Sequence, residues 1–300
     1  MAKVVRHLRQ GQQEFQKLFS ELCVSKSTWQ VWSDFVEMTA IAIANSVEVR
    51  AKVRQDREAR YMSIIGDYTK SQQQVFPELV SILVASLERN SEQDFLGEMF
   101  MALELGNHWK GQFFTPYSVC QMMAKITVQD AADKIMAKGY VTVNDPACGA
   151  GATLIAARNA LELMHIGSSQ VWFVGQDIDR LAGMMCYIQL SLLGCAGYVV
   201  IADTICNPLT GPVLWPNLKP DQEAWFMPMN FIDPAWVCRQ FRRDEDQPPV
   251  SPTESAPVPA EQKKEETPSL PKAEPQEAQA ATQEPMFSIT ESDSGQLTLF

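Results

Sequence analysis

At 300 residues, with 46% hydrophobic and 20% charged residues, the chain can bury a sizeable core and has the composition of a soluble globular protein. A net charge of −11 excludes holding nucleic acid by bulk charge alone, though a local basic face stays open. No apolar run approaches the roughly 20 residues of a membrane span. The start MAKVVRHLRQGQQEFQ lacks the apolar core of a signal peptide. Seven cysteines without a CxxC pair, beside only three histidines, argue against structural zinc. The expectation is a cytoplasmic protein with free thiols and no metal.

The first hundred residues read as helices. Phe15, Leu18, Phe19 and Leu22 form one apolar stripe over Gln13–Cys23. Further helices are predicted over Trp29–Val47, Phe76–Glu88 and Asp94–Leu105, and none carries an evident chemical group, so this region is read as scaffold. After Gly106 the texture changes. A helix over Ser118–Ile126 precedes a strand at Tyr140–Asn144, a helix over Ala152–Met164, a strand at Val171–Gly175, a helix over Arg180–Leu193 and a strand at Tyr198–Ala202. Such alternation marks βαβ units on a parallel sheet. Beyond Asp203, six prolines from Pro208 to Pro234 interrupt every candidate run.

Residues 241–300 hold twelve acidic and five basic residues, net −7, leaving −4 for the rest. Nine of the 18 prolines lie between Pro248 and Pro285, and beyond Asp244 the only aromatics are Phe287 and Phe300. Such a stretch cannot bury enough apolar surface to offset the entropy of ordering it, and is expected to be disordered. The predicted organisation is a helical region over 1–105, an α/β domain over 106–243 and a tail over 244–300.

The chemistry concentrates at the predicted strand ends. The first strand runs into NDPACGAGATLI, where Gly149 and Gly151 let the backbone approach a ligand and present N–H groups at a helix start. Asp145 caps that strand, Asp177 of GQDID ends the second and Asp203 ends the third. Ends of successive parallel strands converge on the crevice where open α/β sheets bind ligands. A glycine-rich turn by itself reads equally well as a tight connection; the three acids in register favour a ligand. The loop is not the GxGxxG of dinucleotide folds, and a carboxylate inside it would repel pyrophosphate and suit a cation.

DFLGEMF and GQFFTP between Asp94 and Pro116, DPACGAG over Asp145–Gly151 and GQDID over Gly175–Asp179 occur in an order and spacing that resemble one family. It is that of the modification subunit of type I restriction-modification systems and related N6-adenine DNA methyltransferases, and the resemblance covers roughly residues 30–205. It implies a Rossmann-like class I methyltransferase domain binding S-adenosylmethionine. Phe113, Thr115 and Pro116 would then line the methionine end and Asp145 would meet the amino group. Ala147, Gly149 and Gly151 would form the loop floor, Asp177 would hold the ribose, Ile178 would pack on the adenine and Asp203 would bond its amine.

The chain departs from the family in lacking an (Asn/Asp)-Pro-Pro-(Tyr/Phe/Trp) loop, which accepts the hydrogens of the target N6 and stacks on the flipped-out base. Asn207-Pro208-Leu209 comes too soon after Asp203 and has no aromatic. The nearest match is Asp233-Pro234-Ala235-Trp236, which makes Asp233, Pro234 and Trp236 the expected catalytic residues if Trp225–Ile232 is a fourth strand. Pro228 weighs against that strand, and the competing reading is a proline turn with a core tryptophan. The sheet is truncated, so one edge is expected to be unpaired and to need cover from a second chain, self-association or the N-terminal helices. The expected function is site-specific adenine-N6 methylation of DNA, dependent on a partner chain in one reading. The alternative is a catalytically silent S-adenosylmethionine-binding adaptor associated with DNA.

Gln296, Leu297, Leu299 and Phe300, in QLTLF, resemble the QLxLF peptide that docks bacterial polymerases and repair proteins on the replication sliding clamp. The resemblance implies that clamp as a partner, reached through a Pro-rich tether. The competing reading is a frayed tail that happens to end in LTLF.

Overall fold

A computed structural model of the chain describes residues 8–103, 105 and 114–241, and the backbone of 297–298. Five helices come first: α1 (Gln10–Leu22), α2 (Thr28–Asn45), α3 (Ala51–Gly66), α4 (Lys70–Arg89) and α5 (Phe95–Ala102). The apolar stripe of α1 is buried at Phe15, Phe19 and Leu22. The Phe15 ring meets Trp32, Phe35 and Phe95 edge-on, the arrangement that aromatic quadrupoles favour. Ser27 caps α2 by accepting from the Gln30 N–H at 3.2 Å.

Helix α3 has no apolar stripe, and of its residues only Ile64 is buried. It forms through the high propensity of Ala, Arg and Glu and through anchors at its side. Arg60 pairs with Glu37 at 2.7 Å, and the Arg57 guanidinium lies 4.7 Å from the Trp225 ring centroid.

The α/β part follows as α6 (Tyr117–Thr127), α7 (Ala131–Lys138), β1 (Val141–Asp145), α8 (Ala152–Leu163), β2 (Val171–Asp177), α9 (Arg180–Leu192) and β3 (Ala196–Ile201). The three strands are parallel, with Val141 opposite Val171 and Trp172 opposite Ala196. Helices α8 and α9 cover one sheet face, α6 packs on α8 and α2 on α9, so one continuous apolar core joins the helical region to the sheet. This is a helical lead-in on a Rossmann-like α/β sheet.

A strand does follow, but it is not the one expected. β4 (Glu223–Phe226) is antiparallel and pairs with β3, Tyr198 lying opposite Phe226 and Ile201 opposite Glu223. The strand stops at Phe226 because Pro228 takes helical dihedrals (φ −55°, ψ −35°) and leads into α10 (Met229–Ile232). Proline is favoured there, where its missing N–H would have no partner in the helix. α11 (Pro234–Phe241) ends this part. The second sheet face is built from Trp172, Val174, Tyr198 and Val200, covered by Trp236 of α11 and by Leu209, Val213 and Leu214 of the Pro-rich segment.

The sheet order is β4-β3-β2-β1-β5, with β5 (Leu297–Thr298) parallel to β1. The β1 edge of the sheet is thus met by backbone of the same chain at Val143 and Asn144. Tail residues 242–296 and 299–300 lie outside the described residues. No helix among the described residues is long and apolar enough to cross a membrane. Among them, no group of three or more His, Cys, Asp or Glu side chains could hold a metal ion.

Candidate functional site

Asp145 is the last residue of β1 and only 4% exposed. One carboxylate oxygen accepts the Ala147 N–H at 3.0 Å, and the other accepts the Thr153 hydroxyl at the start of α8. Burial pushes its pKa above the usual carboxylate range against the pull of these hydrogen bonds. Asp177 ends β2 and holds the loop of the neighbouring strand, accepting the Gly149 N–H at 2.7 Å. Its second oxygen accepts the Asp179 N–H at 2.8 Å, and burial raises its pKa as well. Asp179 itself caps α9 by accepting from Leu181 and Ala182, both at 2.9 Å.

The loop backbone is crowded from behind. Gly149 has φ +52°, and a Cβ there would stand 3.0 Å from the Phe114 ring. Gly151 has φ +96°, and a Cβ there would stand 2.9 Å from the Cys186 sulfur. These positive dihedrals and close approaches explain both glycines. The loop is also tied to β2 by the Cys148 N–H donating to the Gln176 carbonyl at 3.0 Å.

Asp203 follows β3 and accepts the N–H groups of Ile205 at 2.8 Å and Cys206 at 3.0 Å, which lower its pKa. Its neighbour Thr204 donates to the Pro146 carbonyl and so joins the third strand tip to the first. The Ile178 side chain, between the two acids of GQDID, is 71% exposed. An apolar side chain left in solvent beside half-buried carboxylates suits a ligand with a flat apolar part and a positive charge.

The structure therefore brings Asp145 with Ala147 and Asp177 with Gly149 into two hydrogen-bonded sets on one loop, with Gly151, Ile178 and Asp203 adjoining them. Thr115 and Pro116 are exposed, and Pro116 forms the N-cap of α6. Phe113 lies outside the described residues; the aromatic that meets the loop is Phe114. Sequence reasoning missed Phe114, Thr153 and Gln189. The signal for Gln189 was available, since it is a lone amide in the apolar run of α9 and is fully buried.

The donor set fits S-adenosylmethionine. The acids at the three strand tips match a cation bearing a sulfonium and an ammonium, and the glycine cradle is shaped for close backbone approach.

The catalytic expectation for Asp233, Pro234 and Trp236 is corrected. Trp236 is 0% exposed, its ring lies 4.9 Å from that of Trp172 and 5.6 Å from that of Tyr140, and its Nε1 donates to the Ser168 carbonyl at 3.0 Å. Arg239 covers the same ring at 4.4 Å and donates to the Gly139 carbonyl at 3.0 Å. Gly139, Tyr140 and Ser168 precede β1 and β2, whereas Asp145 and Asp177 end those strands. The motif thus sits at the far end of strands five and seven residues long, about 15–20 Å away at strand rise. Asp233 accepts the Ala235 N–H at 2.8 Å and starts α11. Trp236 closes the core at the strand starts, away from the strand-tip acids.

Of the docking pentapeptide, Gln296, Leu299 and Phe300 lie outside the described residues, and the backbone of Leu297 belongs to β5.

Two solved structures resemble the fold. One is a putative class I S-adenosylmethionine-dependent methyltransferase from Listeria monocytogenes, at 19% identity over 69% of this chain and 58% of that one, with a TM-score of 0.41. The other is the methyltransferase subunit of a type I restriction-modification system from Streptococcus thermophilus, at 18% identity over 69% of this chain and 45% of that one, with a TM-score of 0.35. The chain thus spans about half the length of each. No curated protein sequence matches it. Residues 93–225, a span that holds the described strand-tip site and stops short of both Asp233–Trp236 and β5, match the family described as N-6 DNA Methylase.

Proposed function

We propose that the chain binds S-adenosylmethionine at the strand tips and serves adenine-N6 methylation of DNA as the cofactor-holding part. The groups that handle the base come from a second polypeptide. The observation that carries the cofactor half is the Gly149–Asp177 hydrogen bond, which joins the loop of one strand to the acid of the next at 2.7 Å. Bound there, S-adenosylmethionine would supply an electrophilic methyl group. Asp145 meets the amino group, the backbone of Ala147, Gly149 and Gly151 floors the methionine part, and Thr115 and Pro116 border it. Asp177 takes the ribose, Ile178 the adenine face and Asp203 the adenine amine. The burial of Trp236 supports the need for a second chain, since transfer to N6 needs acceptors and a stacking ring beside the methyl group. In this reading the QLTLF segment tethers the chain to a sliding clamp near DNA.

The same observation favours a second reading, a catalytically silent adaptor that only binds the cofactor. Calorimetric titration with S-adenosylmethionine is expected to show one site, weakened at least tenfold in Asp177→Ala. Labelled methyl transfer to DNA lacking N6-methyladenine is expected to need both this chain and a polypeptide bearing an (Asn/Asp)-Pro-Pro-aromatic loop. Transfer by this chain alone, abolished in Asp233→Ala, would overturn the two-chain proposal. Cofactor binding with no transfer under either condition would establish the adaptor, and no binding would overturn both.

A further inference from the structure

The edge of β1 away from β2 carries a strand of only two residues. Leu297 lies opposite Val143 and Thr298 opposite Asn144, in parallel register. Among the described residues, Val141, Thr142 and Asp145 have no strand partner on that side. An open edge is a row of unpaired backbone donors and acceptors, and peptides bind such rows by adding a strand. The seat is next to the chemistry, because the residue after Asn144 is Asp145.

The occupant is this chain's own. Fifty-five residues separate Phe241 from Leu297, and a coil of that length spans roughly 40 Å. Four strands side by side cover only about 20 Å. Arg239 already touches the start of β1 through Gly139, so the tether begins near the strand it must reach. Two paired residues make few hydrogen bonds. Such a contact persists because tethering holds the peptide at an effective concentration on the order of millimolar, and it yields to a tighter competitor.

We infer that the β1 edge is a peptide-docking site whose resident is the Leu297–Thr298 segment, so that this segment is either paired with β1 or held by an outside receptor, never both. The exclusion half rests on the clamp tether proposed above; the docking half does not.

Amide hydrogen exchange on the full chain tests the docking. The one amide of Val143 and Asn144 that faces β5 is expected to exchange at least tenfold more slowly in wild type than in whichever variant, Leu297→Pro or Thr298→Pro, removes the docking donor. Successive N–H groups of a strand point to opposite sides, so one of the two substitutions removes a donor that faces β1. Unchanged protection in β2 and β3 shows that the variants fold. A synthetic peptide of residues 287–300 is expected to restore slow exchange at the β1 amide that faces β5 in the docking-defective variant, and to bind wild type at least tenfold more weakly. Exchange at Leu297 and Thr298 equal to that of the free peptide, or equal peptide affinity in both chains, overturns the docking. Bacterial sliding clamp added to wild type is expected to abolish protection at the β1 amide that faces β5. Clamp bound with that protection intact overturns the exclusion. A clamp that does not bind removes the tether, and the docking then stands or falls on the exchange rates.

Discussion

Gln189 donates to the Ala150 carbonyl oxygen at 2.8 Å. The same amide nitrogen donates to Asp94 at 2.8 Å, and the amide oxygen accepts the Leu96 N–H at 3.0 Å. One fully buried side chain on α9 therefore ties the start of α5 to the glycine loop. Each buried polar group left unpaired costs about 1–3 kcal/mol. Gln189→Leu is expected to lose about 2–4 kcal/mol in denaturant unfolding and to weaken S-adenosylmethionine at least fivefold by calorimetry. Unchanged stability would remove Gln189 from this role.

Buried Asp145 and half-buried Asp177 set a pH dependence. Burial raises the folded-state pKa of Asp145 and Asp177 above the ordinary value of 3.8. Stability from such groups is fully present below the unfolded pKa and is lost as pH rises through the folded value. A cationic ligand favours the charged carboxylates and reverses the shift. Binding of S-adenosylmethionine is therefore expected to release protons near the raised pKa values and to tighten as pH rises through them. Calorimetry in two buffers of different ionisation enthalpy measures that release, and proton uptake would contradict it.

Gly149→Ala places a methyl group 3.0 Å from the Phe114 ring, at φ +52°. Holding a side chain in that dihedral region costs of order 1–3 kcal/mol, and the crowding shifts the N–H that Asp177 accepts. The expected result is a matching loss of stability and at least tenfold weaker cofactor binding. Wild-type affinity in this variant would mean that the loop is not the cofactor floor.

Trp236 separates a core role from a catalytic one. Trp236→Ala is expected to destabilise the fold by about 3–5 kcal/mol, as large-to-small core changes do, with the cofactor dissociation constant unchanged within twofold at temperatures where the variant is folded. Asp233→Ala removes only a turn acceptor and is expected to leave that constant unchanged too. A selective loss of methyl transfer at full stability would return Asp233-Pro234-Ala235-Trp236 to the active site.

Glu48 offers an acid-side test far from the strand tips. Its hydrogen bonds with Arg50, together with nearby Arg57, hold its pKa at about 2, below the ordinary 4.5. A depressed carboxylate pKa adds stability above the unfolded value that is lost as pH falls through the folded one. Glu48→Gln is expected to cost about 1 kcal/mol near neutrality, since the Arg50 side of the pair is solvent-screened. The difference from wild type should shrink between pH 4.5 and about 2. A difference that persists below that window would assign the effect to packing.

The sequence by itself determined the βαβ series and the convergence of acids at its tips. Both are local: a period-two run, a glycine turn and a period-3.6 run specify strand, loop and helix in turn, and parallel order brings successive tips together. Asp145, Gly149 and Asp177 were legible for that reason. Helix α3 was not, because a polar helix held by Arg60–Glu37 and Arg57–Trp225 leaves no apolar stripe to read. Tertiary structure alone decided that β4 joins the β3 edge and runs antiparallel to it. It also decided that Asp233-Pro234-Ala235-Trp236 lies at the opposite end of the strands from the glycine loop. A strand's edge and a loop's end of the sheet are chosen by contacts between residues distant in the chain, here Trp236 with Trp172 and Leu297 with Val143. Such contacts leave no periodicity in the sequence.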